Sequence, residues 1–423
     1  MSWLWIVPLM FGLMLLNMRI YLAMFAATLV YFIFFNNLPP GISVQRLVAP
    51  AQNSTLLAIP FFILLGTLLS HTGVAQRILH LANLLVGRFR GGMAMANVTM
   101  STLMGGVSAS NLADAAMLSK IMVPEMERQG YNRAFASAVT GAGSLITPII
   151  PPGIALIIYG MVADVSIGRM FMAGILPGIL CAVSLMVAIW IISVKRGYQP
   201  MLQAWPKPKE VGKATINAWP ALLVLIGVVG GIRANIFTPT EAGAAGVVIV
   251  TLIGFLVYKQ MRLQHVATAL VSTAKATASI MLVIMASSAL AWIFSLEHAG
   301  VAMAEWIGSL TSSKYVFLAV VNIILLLLGM LIEGTALIII LVPLLKPVML
   351  QLGIDPVHFG LIMILNLSIG TLTPPVGTVM LLICNITRVP MNDFLKESVP
   401  LFIALLVALV LVTYIPAISL LLT

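Results

Sequence analysis

The chain has 423 residues, 61% of them hydrophobic and 8% charged, with a mean hydropathy of +1.12. Soluble globular domains carry about 25% charged residues, so a soluble domain is excluded and a polytopic membrane protein is implied. The formal net charge of +10 would point to nucleic acid in a soluble chain; here no nucleic-acid partner is implied, and the question becomes which side of the bilayer holds the cations.

Apolar runs approaching the ~20 residues of a spanning helix define the elements in order. The first half holds 3–18, 20–36, 55–71, 92–129, 134–162 and 170–194; the second holds 217–232, 242–258, 274–295, 315–352, 357–386 and 398–421. The N-terminal run lacks a basic n-region and a clear cleavage motif, so it reads as the first spans and not as a cleavable signal. Cys181 and Cys384 both lie in apolar runs, which excludes a disulfide framework and a CxxC metal site.

Segments 92–129 and 315–352 are too long for one span. Each carries small or polar residues at its midpoint, Ser108-Ala109-Ser110-Asn111 in one and Glu333-Gly334-Thr335 in the other. Each is expected to be a re-entrant hairpin. Non-helical backbone at that depth is tolerated only where protein or water satisfies it, so the tips belong in a site. Segments 134–162 and 357–386 are broken by Thr147-Pro148-Ile149-Ile150-Pro151-Pro152-Gly153 and by Gly370-Thr371-Leu372-Thr373-Pro374-Pro375-Val376-Gly377. Proline supplies no backbone donor and clashes with the preceding turn, so a continuous helix cannot pass either point.

The halves repeat. An offset of 223 carries Gly106 to Gly329, Pro124 to Pro347, Met126 to Met349, Gly130 to Gly353, Pro151 and Pro152 to Pro374 and Pro375, and Pro177 to Pro400; with a four-residue slip, 71–75 is echoed by 298–302. Paired Gly- and Pro-broken segments at matching places in two halves are the sequence pointer to a transporter binding site.

With both hairpins re-entrant, ten full spans remain. One side then holds Arg19, Arg77, Arg88, Arg90, Arg128, Arg133, Lys195, Arg196, Lys207, Lys209, Lys213, Lys259, Arg262, Arg388 and Lys396, fifteen cations; the other holds Arg46, Arg169, Arg233 and Lys314, four. The positive-inside rule makes the first side cytoplasmic and both termini extracytoplasmic. The segment after His71 carries Arg77, Arg88 and Arg90 without an acid, whereas its echo carries Glu305 and Lys314, so the repeats are inverted. The expected fold is all-α: two inverted repeats, each with three scaffold helices, an interfacial arm helix, a hairpin, a broken helix and a final helix. The divisions are 1–71 (scaffold), 72–194 (arm, hairpin and transport helices), 195–216 (cytoplasmic linker), 217–297 (scaffold) and 298–423 (arm, hairpin and transport helices).

Unpaired carbonyls before proline, with nearby hydroxyls, form an oxygen donor set for a hard cation such as sodium. The residues proposed for it are Ser110, Thr147, Pro148, Gly334, Thr335, Gly370, Thr371 and Thr373. Hairpin tips also present half-helix N-termini, whose positive ends favour an anion, and Ser108, Ser110, Asn111, Thr335 and Thr373 are the corresponding substrate ligands. Taken singly, these Gly and Pro residues would be plain kinks in packed helices; the paired offset argues for a site. Asp114 and Glu333 are intramembrane carboxylates and functional candidates, with the alternative that each serves a nearby hydroxyl or helix N-terminus. No HExxH, GxxxxGK[ST] or nucleophile elbow occurs, so no enzymatic chemistry and no built-in ATPase is implied.

The run GGVSASNLADAAMLSKIMVPEMERQGY, followed by SLITPIIPPG, resembles the large membrane subunit of tripartite ATP-independent periplasmic (TRAP) transporters; IEGTALIIILVPLLKPVMLQLG and TLTPPVGT fit its second half. The resemblance covers essentially the whole chain. It implies a bacterial inner-membrane protein, sodium coupling, and an elevator mechanism in which hairpins and broken spans slide against a scaffold. It also implies a small four-helix membrane subunit, expected as a separate polypeptide because the chain opens on the large subunit's own first spans. A periplasmic binding protein would deliver an organic anion, such as a C4-dicarboxylate or sialic acid. Two other readings stand beside it: a stand-alone sodium–carboxylate symporter, which needs no partner, and a membrane-embedded enzyme, which needs a convergent His, Asp or Cys constellation that is not found.

Overall fold

The computed structural model describes residues 3–16, 18–35, 40–108, 110–310 and 313–423, and the described residues form helices joined by turns. α1 (Trp3–Leu15) and α2 (Ile20–Phe34) lead into a short amphipathic helix, α3 (Pro40–Val48), which the apolar-run reading did not foresee. It is too short and too polar to register as a span; its Arg46 guanidinium lies 5.2 Å from the Trp292 ring centroid. α4 (Ala58–Ser70) follows two 3-10 turns, and α5 (Val74–Val86) lies in the segment expected to form an arm, burying Val74, Ala75, Ile78, Leu81 and Ala82 along one face. Its other face carries Gln76, Arg77 and His80, the division expected of a helix lying in the interface.

Both long segments fold as two helices about a tip: α6 (Gly92–Ser108) with α7 (Asn111–Arg128), and α15 (Lys314–Gly329) with α16 (Gly334–Gln351). Both broken spans are broken where the prolines require it. α8 (Arg133–Ser144) stops before 147–153 and α9 (Ile154–Val162) restarts after it, as α17 (Pro356–Gly370) stops and α18 (Thr378–Thr387) restarts in the other half. The Pro151–Pro152 and Pro374–Pro375 bonds are both cis.

The remaining helices are α10 (Ile167–Arg196), α11 (Pro208–Arg233), α12 (Pro239–Leu252), α13 (Leu263–Leu296), α14 (Ala299–Leu310), α19 (Met391–Tyr414) and a terminal turn, α20 (Pro416–Leu420). α10 runs into the expected linker and α11 begins inside it, so its irregular part narrows to 197–207. Gly197, at φ +70°, ends α10, a position where only glycine is unstrained. The Glu210 carboxylate accepts the Lys207 N–H at 3.2 Å at the start of α11. α13 also begins well before the expected 274, because the stretch from 263 is amphipathic and escapes a hydropathy threshold.

Five described helices are long and apolar enough to cross a bilayer: Ile167–Arg196, Pro239–Val257, Leu263–Leu296, Gly334–Gln351 and Met391–Tyr414. On α10, Ile179, Val183, Val187 and Trp190 are about half exposed, and on α19 so are Val399, Ile403, Val407 and Val410. Apolar stripes of that length need lipid or a partner to cover them.

Packing interlocks the halves. α4 packs on α12 as α2 packs on α13; α9 packs on α16 as α18 packs on α7; α8 packs on α19 as α17 packs on α10. Each of these contacts joins one half to the other, with the partners exchanged. Where helices associate within lipid, small residues let backbones close in and gain van der Waals contact. Here Gly329 of α15 faces Gly370 of α17: a Cβ on Gly370 would stand 2.6 Å from the Gly329 carbonyl carbon.

Candidate substrate and ion site

A cavity of about 320 Å³ opens where hairpins and broken spans meet. Ser110 and Asn111 reach it from one tip, and Glu333, Gly334 and Thr335 from the other. The first broken span adds Pro148, Ile154 and Ala155; the second adds Ser368, Thr371 and Thr378. Four half-helices thus begin at this cavity, α7 at Asn111, α9 at Ile154, α16 at Gly334 and α18 at Thr378. Each helix start carries roughly half a positive charge and free N–H groups.

These starts are not equivalent. At α16 the Glu333 carboxylate is the N-cap, accepting the Ala336 N–H at 3.2 Å and bonding the Thr335 hydroxyl. The N-cap residues of α7, α9 and α18 are Ser110, Gly153 and Gly377, and none caps with its side chain. The start of α16 is therefore occupied by the protein's own anion; at α7 the Asn111 side chain accepts the Leu112 N–H at 2.9 Å and Asp114 sits in the first turn, at α18 the Val379 N–H donates to the Thr371 carbonyl at 3.0 Å, and no described side chain caps α9.

Cross-links tie the tips to the breaks. The Asn111 amide donates to the Thr371 hydroxyl at 3.4 Å, joining hairpin one to the second broken span. Thr371 in turn donates to the Ser368 carbonyl at 2.7 Å. Asp114, fully buried in the first turn of α7, accepts the Thr147 hydroxyl at 3.2 Å. Deeper, the Asn97 amide donates to Thr140 at 2.7 Å, and the Asn366 amide donates to the Asn322 side chain at 2.7 Å, so each hairpin is pinned to its own broken span by one buried amide. Both carboxylates thus serve a hydroxyl or a helix start, and Glu333 also lines the cavity.

The breaks differ in which carbonyls they free. Pro151 and Pro152 cannot donate to Thr147 and Pro148, and no described residue donates to either carbonyl. In the second break, the Gly370 carbonyl accepts the Thr373 N–H at 3.0 Å and that of Thr371 accepts the Val379 N–H at 3.0 Å; the carbonyls of Leu372 and Thr373 instead find no donor among the described residues.

Of the residues singled out from the sequence, Ser110, Asn111, Pro148, Gly334, Thr335 and Thr371 share the cavity wall. Thr147 is buried one residue behind Pro148 and turned to Asp114. Gly370 is packed against Gly329, and the Thr373 hydroxyl donates to the Ile369 carbonyl at 3.0 Å, away from the lining. Ser108 closes α6, and its side chain lies outside the described residues. Sequence reasoning missed Ser279, Ile280 and Val283 of α13, which also line the cavity; no motif marks them, and only packing brings α13 there. Among the described residues no group of three or more His, Cys, Asp or Glu side chains could hold a metal; the oxygens on the cavity wall are hydroxyls, carbonyls and the Glu333 carboxylate.

This is the architecture of a membrane permease, not of an enzyme. The fold is similar to the crystal structure of the YdaH transporter of Alcanivorax borkumensis, with a TM-score of 0.58 over 88% of this chain and 86% of that one, at 16% identity. Residues 7–418 match the family described as tripartite ATP-independent periplasmic transporter, DctM component, and the chain belongs to that family. It is 36% identical over 411 residues to the sialic acid TRAP transporter large permease protein SiaM of Vibrio cholerae, covering 97% of this chain and 96% of that protein. It is also 36% identical over 379 residues to the C4-dicarboxylate TRAP transporter large permease protein DctM of Pseudomonas aeruginosa, covering 89% and 87%.

Proposed function

We propose that this chain is the sodium-coupled, substrate-translocating subunit of a bacterial inner-membrane importer for an organic acid anion, working by an elevator motion. The observation that carries the reading is the convergence of four half-helix starts on one cavity, one of them already capped by Glu333. A carboxylate would lie among the starts of α9, α7 and α18, near Ser110 and Asn111, on the N–H groups that the protein's own acceptors leave free. Sodium would take hydroxyl and carbonyl oxygens beside the two breaks: Thr147 and Pro148 with Ser110 in one half, Thr371 and Thr335 with Gly334 in the other, close to Glu333. Thr373 and Gly370 contribute to this reading through the backbone of the break. The exchanged packing between the halves supports inverted repeats, and the fifteen-to-four charge division supports a cytoplasmic 197–207 with both termini periplasmic.

The family's tripartite character implies two further components. A small four-helix membrane subunit would widen the scaffold, and a periplasmic binding protein would deliver the anion. The relatives named for sialic acid and C4-dicarboxylates set the class of substrate to test. In proteoliposomes holding the complete system, uptake should require a sodium gradient, and Ser110→Ala and Thr371→Ala should weaken sodium dependence more than Thr373→Ala at equal protein level. Unchanged sodium dependence in both of the first two would remove the ion assignment. The chain alone should not accumulate substrate; if it matched the complete system, the stand-alone symporter would replace this reading. A reporter that placed residue 205 outside, or residue 423 inside, would overturn the topology.

A further inference from the structure

A second cavity, of about 620 Å³, stacks on the first. Three helices pass from one to the other: α13 from Val283 to Ser288 and onward, α16 from Ile338 to Lys346, and α9 from Ala155 to Met161. Ile339 belongs to both walls. The far end is formed by His298, Gly300 and Asn53, on the face that the charge division assigns to the periplasm.

The polar lining of this vestibule has one sign. Lys346 and His298 are joined by Asn53 and the hydroxyls of Ser288 and Ser295, and no described Asp or Glu lines it. The neighbouring Glu297 is turned elsewhere, accepting the Tyr31 hydroxyl at 2.7 Å. Lys346 is half-buried and enters none of the ion pairs among the described residues. An ammonium within a membrane segment and without a counterion is costly, so it needs water or an anion. Water is also called for by the backbone. Pro343 and Pro347 have no N–H to offer Ile339 and Pro343 four residues earlier, and both of those residues line the vestibule.

We propose that Lys346 forms an outer carboxylate site in this vestibule, where an incoming organic anion pauses before reaching the hairpin tips. Eleven residues of helix separate Lys346 from Thr335, about 16 Å, so the two positions are distinct and one small anion cannot span both. The lysine supplies the charge, and the serine hydroxyls and the Asn53 amide supply neutral donors that hold the anion without trapping it. This assignment rests on the transport reading above only for the identity of the traveller.

The test reads the vestibule directly. In full-length chain in lipid nanodiscs, with Cys181→Ala and Cys384→Ala, a Ser288→Cys thiol is reacted with an anionic (sulfonatoethyl) or a cationic (trimethylammonioethyl) methanethiosulfonate. Adding Lys346→Gln should lower the anionic-to-cationic rate ratio about tenfold, the scale of one nearby charge in a partly hydrated site, and Lys346→Arg should restore it. Succinate or N-acetylneuraminate should slow the anionic reaction several-fold, and should still do so when Ser110→Ala and Thr371→Ala weaken the inner site. The proposal is overturned by an unchanged ratio, by absence of reaction at both Ser288→Cys and an alternative Ala291→Cys, by a changed ratio without carboxylate protection, or by protection lost with the inner-site variants. Failure of sodium-driven uptake with these labelling results intact would sink the transport reading and leave the outer site standing.

Discussion

Three glycines around the site should respond to alanine in a graded order set by what the new methyl would meet. At Gly370 a Cβ would stand 2.6, 2.8 and 3.0 Å from the carbonyl carbon, Cα and oxygen of Gly329, all backbone atoms that no rotamer change can remove. At Gly329 it would stand 3.3 Å from the Leu367 Cα and oxygen and 3.4 Å from the Gly370 Cα, a squeeze of a few tenths of an ångström. At Gly334 it would meet the Leu367 Cβ at 3.4 Å, ordinary contact. Overpacking a close-packed interior costs about 1–3 kcal/mol, so Gly370→Ala is expected at about 3 kcal/mol and Gly329→Ala at about 1. Gly334→Ala should be within about 0.5 kcal/mol, since it also replaces a poor helix former at the start of α16. The clash at 370 would pry hairpin two from the second broken span and displace Thr371, so uptake should fall with stability in that variant. Thermal unfolding of the detergent-solubilised chain, paired with uptake by the reconstituted system, gives both readouts. Equal stabilities for Gly370→Ala and Gly334→Ala, or the reverse order, would refute the claim that backbone proximity holds the site together.

Asn366→Leu should cost about 1–3 kcal/mol, because it removes the donor to the Asn322 carbonyl at 2.9 Å and side chain at 2.7 Å; denaturation in mild detergent would measure it, and a neutral result would mean that water replaces the amide. Breaking the 2.7 Å pair of Arg196 with Glu397 by Arg196→Met should loosen the contact of α10 with α19, at about 1 kcal/mol for a partly exposed pair, and the loss should shrink in high salt. Burial, then the facing His265 ring at 4.9 Å, holds the His71 imidazole below its usual value. Its folded form therefore prefers to be neutral: the contact between the ends of α4 and α13 is intact above the unfolded value of about 6.5 and weakens as pH falls through the lower folded one. The unfolding temperature should drop on acidification from about pH 7.5 to 5.5, and His71→Gln should lessen that drop; an identical drop in the variant would remove the assignment.

Much of this molecule could be read from the order of its residues because the decisive constraints are local. Proline cannot donate a backbone hydrogen bond wherever the chain places it, so the breaks at 147–153 and 370–377 followed from residue order alone, while the over-long apolar runs with small or polar midpoints marked the turns between α6 and α7 and between α15 and α16. The family signature lies in those same stretches, which is why the resemblance and the physical reading pointed to one place. What the sequence left open depends on which backbones approach. Glu333 and Asp114 could each be a ligand or a cap until the structure set Glu333 at the start of α16 and Asp114 against Thr147. Thr371, not Thr373, faces the cavity because the turn after α17 rotates the second hydroxyl back onto Ile369. The α13 wall of the cavity and the vestibule around Lys346 carry no periodic or motif signal. They exist only where elements far apart in sequence come together, and a one-dimensional pattern of hydropathy holds no record of that meeting.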